Sequence, residues 1–430
     1  MSVPSIAFIT LGCPKNEVDT DRMRAAVNAS AYTVSVSSED ADVVVLNTCA
    51  FIQDAVEEAI AEIMDLAEWK AARDGRLVVV TGCLPSRYGA ALRPELPEVD
   101  AFVPVAEENT LLDVLERLTG VPACATKGPS RTVSGTTAYV QISDGCDRRC
   151  AYCAIPSIRG PHKSRPLDDV VDEAQLLIDR GTREIVLVGQ DTSSWGRDLA
   201  GQERLPELLH AVASLPGDYR VRLMYLQPDG ISGRLLDVMA GSDRICRYLD
   251  IPVQHASRDV LRRMGRTGDY DSLLALVEGI RKALPGVTLR TTVMAGFPGE
   301  TRQDAQMLER FVQEAAFDYT GVFAFSAEEG TPAAGLPGQV PRRTRLSRAQ
   351  RLADLGHVVG AARAARHVGS TVTVLVEEGD EDGMAVGRTC GQAPEIDGVT
   401  LFPPGPESGT FARVRIDDSD GYDLIGQVIA

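Results

Sequence analysis

Three cysteines lie within the eight-residue segment Cys146-Asp-Arg-Arg-Cys150-Ala-Tyr-Cys153. Thiolates bind soft metals, and three of them this close in sequence can converge on one metal centre. Four thiolates would complete the coordination of zinc or of an iron–sulfur cluster, whereas three leave one metal position open for a further ligand. The alternative is a structural zinc site with a remote fourth ligand, for which His162 is a candidate.

Three further cysteines, Cys13, Cys49 and Cys83, are far apart in sequence but share one local context. Each lies at the end of an apolar run and is preceded by a short dipeptide, which is Leu-Gly before Cys13, Asn-Thr before Cys49 and Thr-Gly before Cys83. If the three runs are parallel strands, the thiols meet at one edge of the sheet, where α/β proteins bind ligands. The alternative is three buried, unreactive cysteines, since a free cysteine is commonly buried. The shared context favours a second three-thiolate centre, again with one open position.

The spacing C-x3-C-x2-C, with an aromatic residue before the last cysteine, resembles the radical S-adenosylmethionine superfamily. The resemblance implies a 4Fe–4S cluster on Cys146, Cys150 and Cys153, with S-adenosylmethionine chelated to the open iron. One-electron reduction would then cleave the cofactor and release a 5′-deoxyadenosyl radical. In such enzymes the cofactor does the difficult chemistry, and the protein supplies binding, orientation and exclusion of water.

The segments 11–16, 47–49 and 81–83 resemble the N-terminal domain of the methylthiotransferases. Those enzymes join such a domain to a radical S-adenosylmethionine core and a C-terminal TRAM β-barrel, so the resemblance covers essentially the whole chain. It implies that the three N-terminal thiols hold a second 4Fe–4S cluster, which carries or delivers sulfur. It further implies that S-adenosylmethionine serves as both methyl donor and radical source, and that an electron donor and a sulfur donor are partners.

The family splits by substrate into a tRNA adenosine branch and a branch that modifies an aspartate of ribosomal protein uS12. The segments 47–52, 248–257 and 393–398 resemble the second branch. The resemblance implies methylthiolation of the β-carbon of that aspartate, in free uS12 or in the small ribosomal subunit. The alternative within the family is a tRNA adenosine methylthiotransferase. From a different class, the alternative is a non-enzymatic iron–sulfur carrier, which does not need a second open cluster.

Two other groups of residues are candidates for ligand binding. Gly189, Gln190 and Asp191 resemble the loop that receives the amino group of S-adenosylmethionine, the alternative being an ordinary polar turn between a strand and a helix. His255 is placed where it could contact the substrate, the alternative being a structural histidine whose hydrogen bonds are satisfied within the protein. No catalytic residue is assigned beyond the cluster ligands.

The elements that must position these residues are strands and helices in alternation. The pattern over residues 1–120 predicts a doubly wound parallel α/β domain. From Thr137, six βα units predict a partial (β/α)6 barrel over residues 132–366, with its site at the carboxyl ends of the strands. An open doubly wound sheet is the alternative to that barrel. Short β-like runs broken by Gly, Pro and Asp predict a small all-β domain over residues 367–430.

Length, charge and cysteine content narrow the class of protein. The chain has 430 residues, nine cysteines and a net charge of −17. This charge disfavours non-specific binding of the whole chain to nucleic acid or to anionic membranes. No apolar run approaches the ~20 residues that span a bilayer. Without an export signal, an odd number of cysteines favours metal binding over disulfides, and we expect a cytoplasmic protein without membrane contact.

The charge is unevenly distributed along the chain. The segment 369–430 contains twelve acidic residues, three arginines and no lysine, which gives a net charge of −9. A domain that binds RNA should be basic, because neutralisation of phosphates dominates such binding. An acidic domain instead favours a basic protein substrate such as uS12. The segment 341–367 predicts an arginine-rich helix, which could contact ribosomal RNA or pair with the acidic domain.

Overall fold

The computed structural model describes residues 3–124, 131–132, 135–202, 204–379 and 383–429. The chain forms two compact units. The N-terminal unit comprises residues 1–133, 144–148 and 153–163, and the second unit comprises residues 134–143, 149–152 and 164–430. Residues 125–130, 133 and 134, near the predicted boundary between the first two domains, lie outside the described residues.

The N-terminal unit contains one parallel five-stranded sheet. Its strands are β1 (Ser5–Thr10), β2 (Thr33–Val34), β3 (Val43–Thr48), β4 (Leu77–Gly82) and β5 (Ala101–Pro104). The helices are α1 (Pro14–Asn28), α2 (Gln53–Ala71), α3 (Cys83–Tyr88), α4 (Leu92–Glu95), α5 (Leu111–Thr119) and, from the later segment, α6 (Ile155–Ile158). The strand order is β2-β1-β3-β4-β5. The predicted parallel α/β sheet is confirmed.

Strand β3 shows why this sheet is detectable from sequence. All six of its residues are buried, because helices cover both faces of the sheet. Val44 and Leu46 pack in the core on one face, and Val43 and Val45 pack in the core on the other. A strand that is covered on both faces is mostly apolar, which accounts for the run 43–46. The buried polar residues Asn47 and Thr48 that end the strand hydrogen bond to neighbouring carbonyls.

The second unit contains six longer parallel strands, and the division between the two units passes through a short two-stranded pair. The long strands are β6 (Thr137–Gln141), β9 (Glu184–Val188), β10 (Arg220–Leu223), β11 (Tyr248–Asp250), β12 (Thr288–Ala295) and β13 (Tyr319–Ala324), and the short pair is β7 (Ser143–Asp144) with β8 (Lys163–Ser164). The helices are α7 (Leu167–Asp179), α8 (Arg197–Ala200), α9 (Leu205–Ala213), α10 (Gly233–Ala240), α11 (Arg258–Arg263), α12 (Tyr270–Ala283), α13 (Arg302–Ala315) and α14 (Arg342–Ala364).

The order of the long strands decides between the two predicted architectures. They form two parallel sheets, β10-β9-β6 and β11-β12-β13. At the junction of the two sheets, the Cys246 N–H donates to the Val221 carbonyl at 2.8 Å, and the Leu226 N–H donates to the Asp250 carbonyl at 3.0 Å. The six strands are therefore neighbours in chain order, without the reversal that a doubly wound sheet requires. This order confirms the partial barrel.

Residues near the C-terminus form a closed five-stranded β-barrel, as predicted. Its strands are β14 (Thr371–Gly379), β15 (Ala385–Thr389), β16 (Thr400–Phe402), β17 (Phe411–Asp420) and β18 (Asp423–Val428), in the order β14-β15-β16-β18-β17. Burial alternates along β17, where Ala412, Val414 and Ile416 face the interior.

Among the described helices, none is both long enough and apolar enough to cross a membrane.

A buried ion cluster joins this barrel to the central sheets. Glu184 on β9 is fully buried and lies 2.7 Å from Arg220 Nη2 and 2.6 Å from Arg222 Nε, both on β10. Arg388 on β15 reaches the same carboxylate at 2.8 Å. Arg220 also donates to the Arg388 carbonyl, and Arg222 donates to the Cys390 carbonyl, each at 2.9 Å. The Glu184 carboxylate thus pairs with three guanidinium groups, two from the central sheets and one from the C-terminal barrel.

Candidate active site

The three N-terminal cysteines lie at the carboxyl edge of the first sheet. Cys13 follows β1, Cys49 follows β3, and Cys83 is the first residue of α3 after β4. The strand order reverses between β1 and β3, and ligands of open α/β sheets bind at such a switch point. Helix α1 begins at Pro14, which is favourable at a first helical position because proline needs no N–H partner there.

Two glycines allow the turns that bear these cysteines to approach one another. Gly12 has φ +103°, and a Cβ atom there would lie 2.5 Å from Cys49 Cβ and 3.3 Å from Cys49 Sγ. Gly82 has φ +93°, and a Cβ atom there would overlap Asn47 Oδ1 and the Thr48 carbonyl. Both backbone conformations are unfavourable for residues with a side chain. Glycine is therefore required at positions 12 and 82 by the packing of the edge.

Buried amides hold the turns together. Asn16 Nδ2 donates to Asn47 Oδ1 at 3.1 Å and to the Thr48 carbonyl at 2.9 Å, while Asn47 Nδ2 donates to the Asn16 carbonyl at 2.9 Å. The Cys13 thiol donates to Asn16 Oδ1 at 3.3 Å. Both amide side chains are fully buried, so each lost bond would leave a polar group unsatisfied. This network fixes the positions of Cys13 and Cys49.

A buried arginine supplies positive charge beside these thiols. Burial raises the pKa of Cys83 to about 12, with Cys49 and Cys13 adding to the shift, whereas Arg159 lowers it and hydrogen bonds to the thiol. Arg159 Nη2 lies 2.8 Å from Asp19 Oδ2, and Nη1 lies 3.2 Å from Asp144 Oδ1. Sequence reasoning did not identify Arg159, because its partners are distant in sequence. Its positive charge offsets only part of the rise in pKa that burial causes at Cys83.

The donor set fits an iron–sulfur cluster. The three cysteines are free, and their sulfurs face a buried cation. In the described parts of the chain, no set of three His, Cys, Asp or Glu side chains is arranged to hold a single metal ion. A cluster distributes its thiolates over several irons, so its ligands need not meet at one point. Three thiolates would leave one iron open.

The second set of cysteines lies in the loop between β7 and α6. Cys146, Cys150 and Cys153 are each half-buried. In the N-terminal unit, the Cys146 N–H donates to the Gly160 carbonyl at 3.1 Å. In the second unit, the Ala151 N–H donates to the Met264 carbonyl at 2.8 Å. The loop is therefore fixed by backbone bonds next to two of its thiols, and its three cysteine sulfurs, which form no disulfide, again suit a cluster with one open iron.

Arg266 connects this loop to the carboxyl ends of two strands. Its Nη1 lies 3.8 Å from Cys150 Sγ and 3.4 Å from the Tyr152 hydroxyl. Its Nη2 donates to Gln227 Oε1 after β10 at 2.7 Å and to the Pro252 carbonyl after β11 at 2.8 Å. Burial opposes the charge, but Tyr152 and Cys150 raise the pKa of Arg266. Sequence reasoning missed this residue, since no local signal links it to the cysteine loop.

We expect Arg266→Gln to lower the reduction potential of a cluster on Cys146, Cys150 and Cys153 by roughly 50 mV or more. The variant loses a positive charge and a donor to a ligand sulfur, and ~1.4 kcal/mol corresponds to about 59 mV for one electron. A redox titration followed by electron paramagnetic resonance measures the potential. Arg262→Gln, on the exposed side of α11, is the control. An unchanged potential in Arg266→Gln would contradict this role.

The predicted S-adenosylmethionine loop follows β9. A Cβ atom at Gly189 would lie 2.6 Å from Ser143 Oγ, and that buried hydroxyl has no hydrogen-bond partner among the described residues. The Asp191 carboxylate accepts hydrogen bonds from the hydroxyls of Ser193 and Ser194, at 2.7 and 2.8 Å. An unsatisfied hydroxyl beside a glycine suits a polar ligand. Binding by Gly189, Gln190 and Asp191 stays a prediction.

His255 lies after β11 in an enclosed environment. Its side chain is fully buried, Nδ1 accepts from the Ser257 N–H at 2.9 Å, and Nε2 lies 3.6 Å from Glu300 Oε2. These contacts hold the ring within the protein in the described conformation. Contact between His255 and the substrate therefore stays a prediction.

Comparisons with known proteins match each part of the chain. Models for "Uncharacterized protein family UPF0004", "Radical SAM superfamily" and "TRAM domain" match residues 5–104, 140–312 and 368–429 respectively. Among solved structures, the radical S-adenosylmethionine methyltransferase TsrM from Kitasatospora setae superposes with a TM-score of 0.58 at 15% identity, over 77% of each chain. The enzyme OxsB superposes with a TM-score of 0.53 at 10% identity, over 81% of this chain and 61% of its own. These two likenesses show the fold.

Full-length relatives identify the family. The ribosomal protein uS12 methylthiotransferase RimO of Syntrophus aciditrophicus is 42% identical, over 100% of this chain and 99% of its own. The proteins of the same name from Pelotomaculum thermopropionicum and Desulforudis audaxviator are 41% and 43% identical, each over 99% of this chain, and over 99% and 97% of their own lengths. The chain is therefore a member of the radical S-adenosylmethionine methylthiotransferase family, to which these uS12-modifying relatives belong.

Proposed function

We propose that the chain methylthiolates ribosomal protein uS12 at the β-carbon of an aspartate residue. The observation that carries the proposal is the full-length similarity, at about 40% identity, to relatives named for this activity. The match extends over the cysteine edge of the first sheet, the central strands and the C-terminal barrel. A tRNA adenosine methylthiotransferase is the alternative that the experiment below distinguishes.

The two sets of cysteines would hold the cofactors. Cys146, Cys150 and Cys153 would bind one 4Fe–4S cluster, and Cys13, Cys49 and Cys83 a second, with S-adenosylmethionine as radical source and methyl donor. Reductive cleavage at the first site would supply the radical that removes hydrogen from an unactivated carbon, and the second site would deliver sulfur. An electron donor and a sulfur donor would be required as partners, and we expect the reaction in the cytoplasm.

The residues of this chain orient and stabilise these groups. Arg266 fixes the Cys150 loop against the ends of β10 and β11, where substrate would enter. Arg159 hydrogen bonds to Cys83 and opposes the rise in its pKa that burial causes. At the end of β9, Gly189 allows the Ser143 hydroxyl to approach the backbone closely, and that hydroxyl would be available to a polar ligand. These residues would therefore act by orienting the cysteine loops and by placing charge beside them.

The acidic C-terminal barrel supports a basic protein as substrate. Asp417 and Asp418 are exposed on β17, in a segment with a net charge of −9. Asp397 differs, since it is buried with its carboxylate 2.7 Å from the Tyr248 hydroxyl and 3.3 Å from Arg290 Nε. The exposed acids would attract a basic ribosomal protein and repel the tRNA backbone.

Mass spectrometry of cells that lack this gene tests the assignment. We expect uS12 to lose the mass of one methylthio group, and the methylthiolated nucleosides of tRNA to be unchanged. Complementation with the unaltered gene should restore the uS12 mass, whereas a Cys146→Ala gene should not. Loss of methylthio groups from tRNA, with uS12 unaltered, would replace the proposed substrate by tRNA.

A further inference from the structure

A basic groove lies between α13 and α14, on a chain whose net charge is −17. Its volume is about 580 Å³. Four of the nine residues that line it are arginines, namely Arg302, Arg343, Arg348 and Arg351, whereas only Glu309 is acidic. The groove therefore has the opposite sign of charge to the molecule as a whole.

Two of the four arginines are neutralised by carboxylates. Arg348 Nη1 lies 2.6 Å from Glu300 Oε1, and Arg351 Nε lies 3.1 Å from Glu309 Oε1. Arg302 and Arg343 are exposed and form no ion pair with any residue that the structure describes. The groove thus offers two unneutralised guanidinium groups to an external anion.

The remaining lining residues suit phosphates better than an apolar ligand. Apart from Ala305, all of them are charged or polar, and Thr344 and Ser347 contribute hydroxyl groups. Guanidinium groups and hydroxyls are among the side-chain groups that contact nucleic-acid phosphates. A basic protein such as uS12 would be repelled by this groove. The ligand chemistry that fits is therefore a polyanion with accessible phosphates.

We propose that the groove binds the phosphate backbone of ribosomal RNA, so that the enzyme recognises uS12 within the small ribosomal subunit. The proposal rests on the proposed function, since it identifies the form of that substrate. The second unit carries two surfaces of opposite charge, the basic groove and the acidic C-terminal barrel. A substrate made of basic protein and RNA offers a complement to both.

Binding to small ribosomal subunits tests the groove directly. The holoenzyme is titrated with subunits from cells that lack this gene, at several salt concentrations. We expect the double variant Arg302→Ala/Arg343→Ala to raise the Kd about tenfold, through two lost charge contacts. The slope of log affinity against log salt should become shallower by about 2, since each phosphate contact contributes about 0.9.

The matched control removes the same charge from elsewhere. Arg93 and Arg117 are exposed on the N-terminal unit, and Arg93→Ala/Arg117→Ala should keep the wild-type Kd and salt slope. With isolated uS12 as substrate, the groove variant should keep the wild-type rate, whereas its KM for subunits should rise. This difference in substrate dependence separates loss of RNA contact from misfolding.

Several outcomes would overturn the proposal. One is that the groove variant binds subunits with the wild-type Kd and salt slope. A second is that the control variant loses as much affinity for subunits as the groove variant does. A third is that the wild-type enzyme modifies only isolated uS12. Binding of polyglutamate but not of an RNA hairpin, with dependence on Arg302 and Arg343, would assign the groove to an acidic protein. If the wild-type enzyme modifies neither form of uS12, the proposed function fails, whereas the binding titration still decides whether the groove contacts RNA.

Discussion

Replacing Cys146 with alanine is expected to abolish reductive cleavage of S-adenosylmethionine and to remove about half of the iron. The unaltered chain, reconstituted without oxygen, should bind about eight irons in two 4Fe–4S clusters. Two thiolates, Cys150 and Cys153, would remain in the loop and would not retain a cluster. Iron analysis and the release of 5′-deoxyadenosine measure the two effects.

Replacing Cys83 with alanine is expected to give the complementary result. The variant should also lose about half of its iron, because Cys83 lies at the edge of the first sheet with Cys13 and Cys49. It should still cleave S-adenosylmethionine, since the loop of Cys146 is intact, but no methylthio group should reach uS12. The two variants together separate radical generation from sulfur delivery.

Cys124→Ala is the control for both substitutions. Cys124 is exposed and belongs to neither set, so this variant should keep the full iron content and both activities. Four irons in the unaltered chain would contradict the presence of two clusters. Full methylthiolation by Cys83→Ala would show that the N-terminal thiols do not take part in sulfur delivery.

Replacing Glu184 with glutamine is expected to lower the free energy of unfolding by about 3 kcal/mol or more, because a buried ion cluster loses its central charge. Arg220 and Arg222 would then be buried without the carboxylate that neutralises them. Arg388 would keep Glu377 as its acidic partner. Since Arg388 belongs to the C-terminal barrel, the variant should also loosen that barrel. Urea denaturation followed by circular dichroism measures the loss of stability.

The effect of Glu184→Gln should depend on pH. Burial opposes ionisation of Glu184, but the three arginines hold the pKa of its carboxyl well below its usual range. A carboxylate with a lowered pKa stabilises the fold fully above its unfolded pKa, about 4.3, and loses this contribution as pH falls further. The difference in stability between wild type and variant should therefore be constant near neutral pH and shrink below about pH 4.

A surface pair provides the comparison for Glu184. Glu309 pairs with Arg351 in the groove between α13 and α14, where both side chains are in contact with solvent that screens the attraction. Glu309→Gln should therefore change the free energy of unfolding by less than about 1 kcal/mol. Equal effects of the two substitutions would contradict the structural role assigned to the buried cluster.

The arginines of α14 have different partners in the structure, although the sequence shows only one basic helix. The sequence predicts a basic helix and leaves open whether it pairs with the acidic barrel or contacts RNA. In α14, Arg348 pairs with Glu300 and Arg363 pairs with Asp318, so both bind acids of the central region. Arg343 has no such partner in the described residues and lies in the basic groove. Helical spacing alone does not assign these roles, because the partners come from other elements.

The sequence by itself determined the two sets of cysteines, because the information is local. Three thiols in eight residues can share one site without any folding argument, and an apolar strand followed by a short turn predicts where each N-terminal thiol emerges. The parallel N-terminal sheet and the all-β character of the C-terminal domain also follow from periodicity and turn residues, whereas the closure of that domain into a barrel is implied by the family resemblance and is seen in the structure.

Only the tertiary structure decided the order of the six central strands and the partners of the buried cations. Strand order depends on hydrogen bonds such as Cys246 to Val221, which periodicity does not encode. Arg159 meets Asp19 across 140 residues, and Arg266 meets Cys150 across 116. Both guanidinium groups must be neutralised or hydrogen bonded once buried, and the fold alone brings their partners into reach.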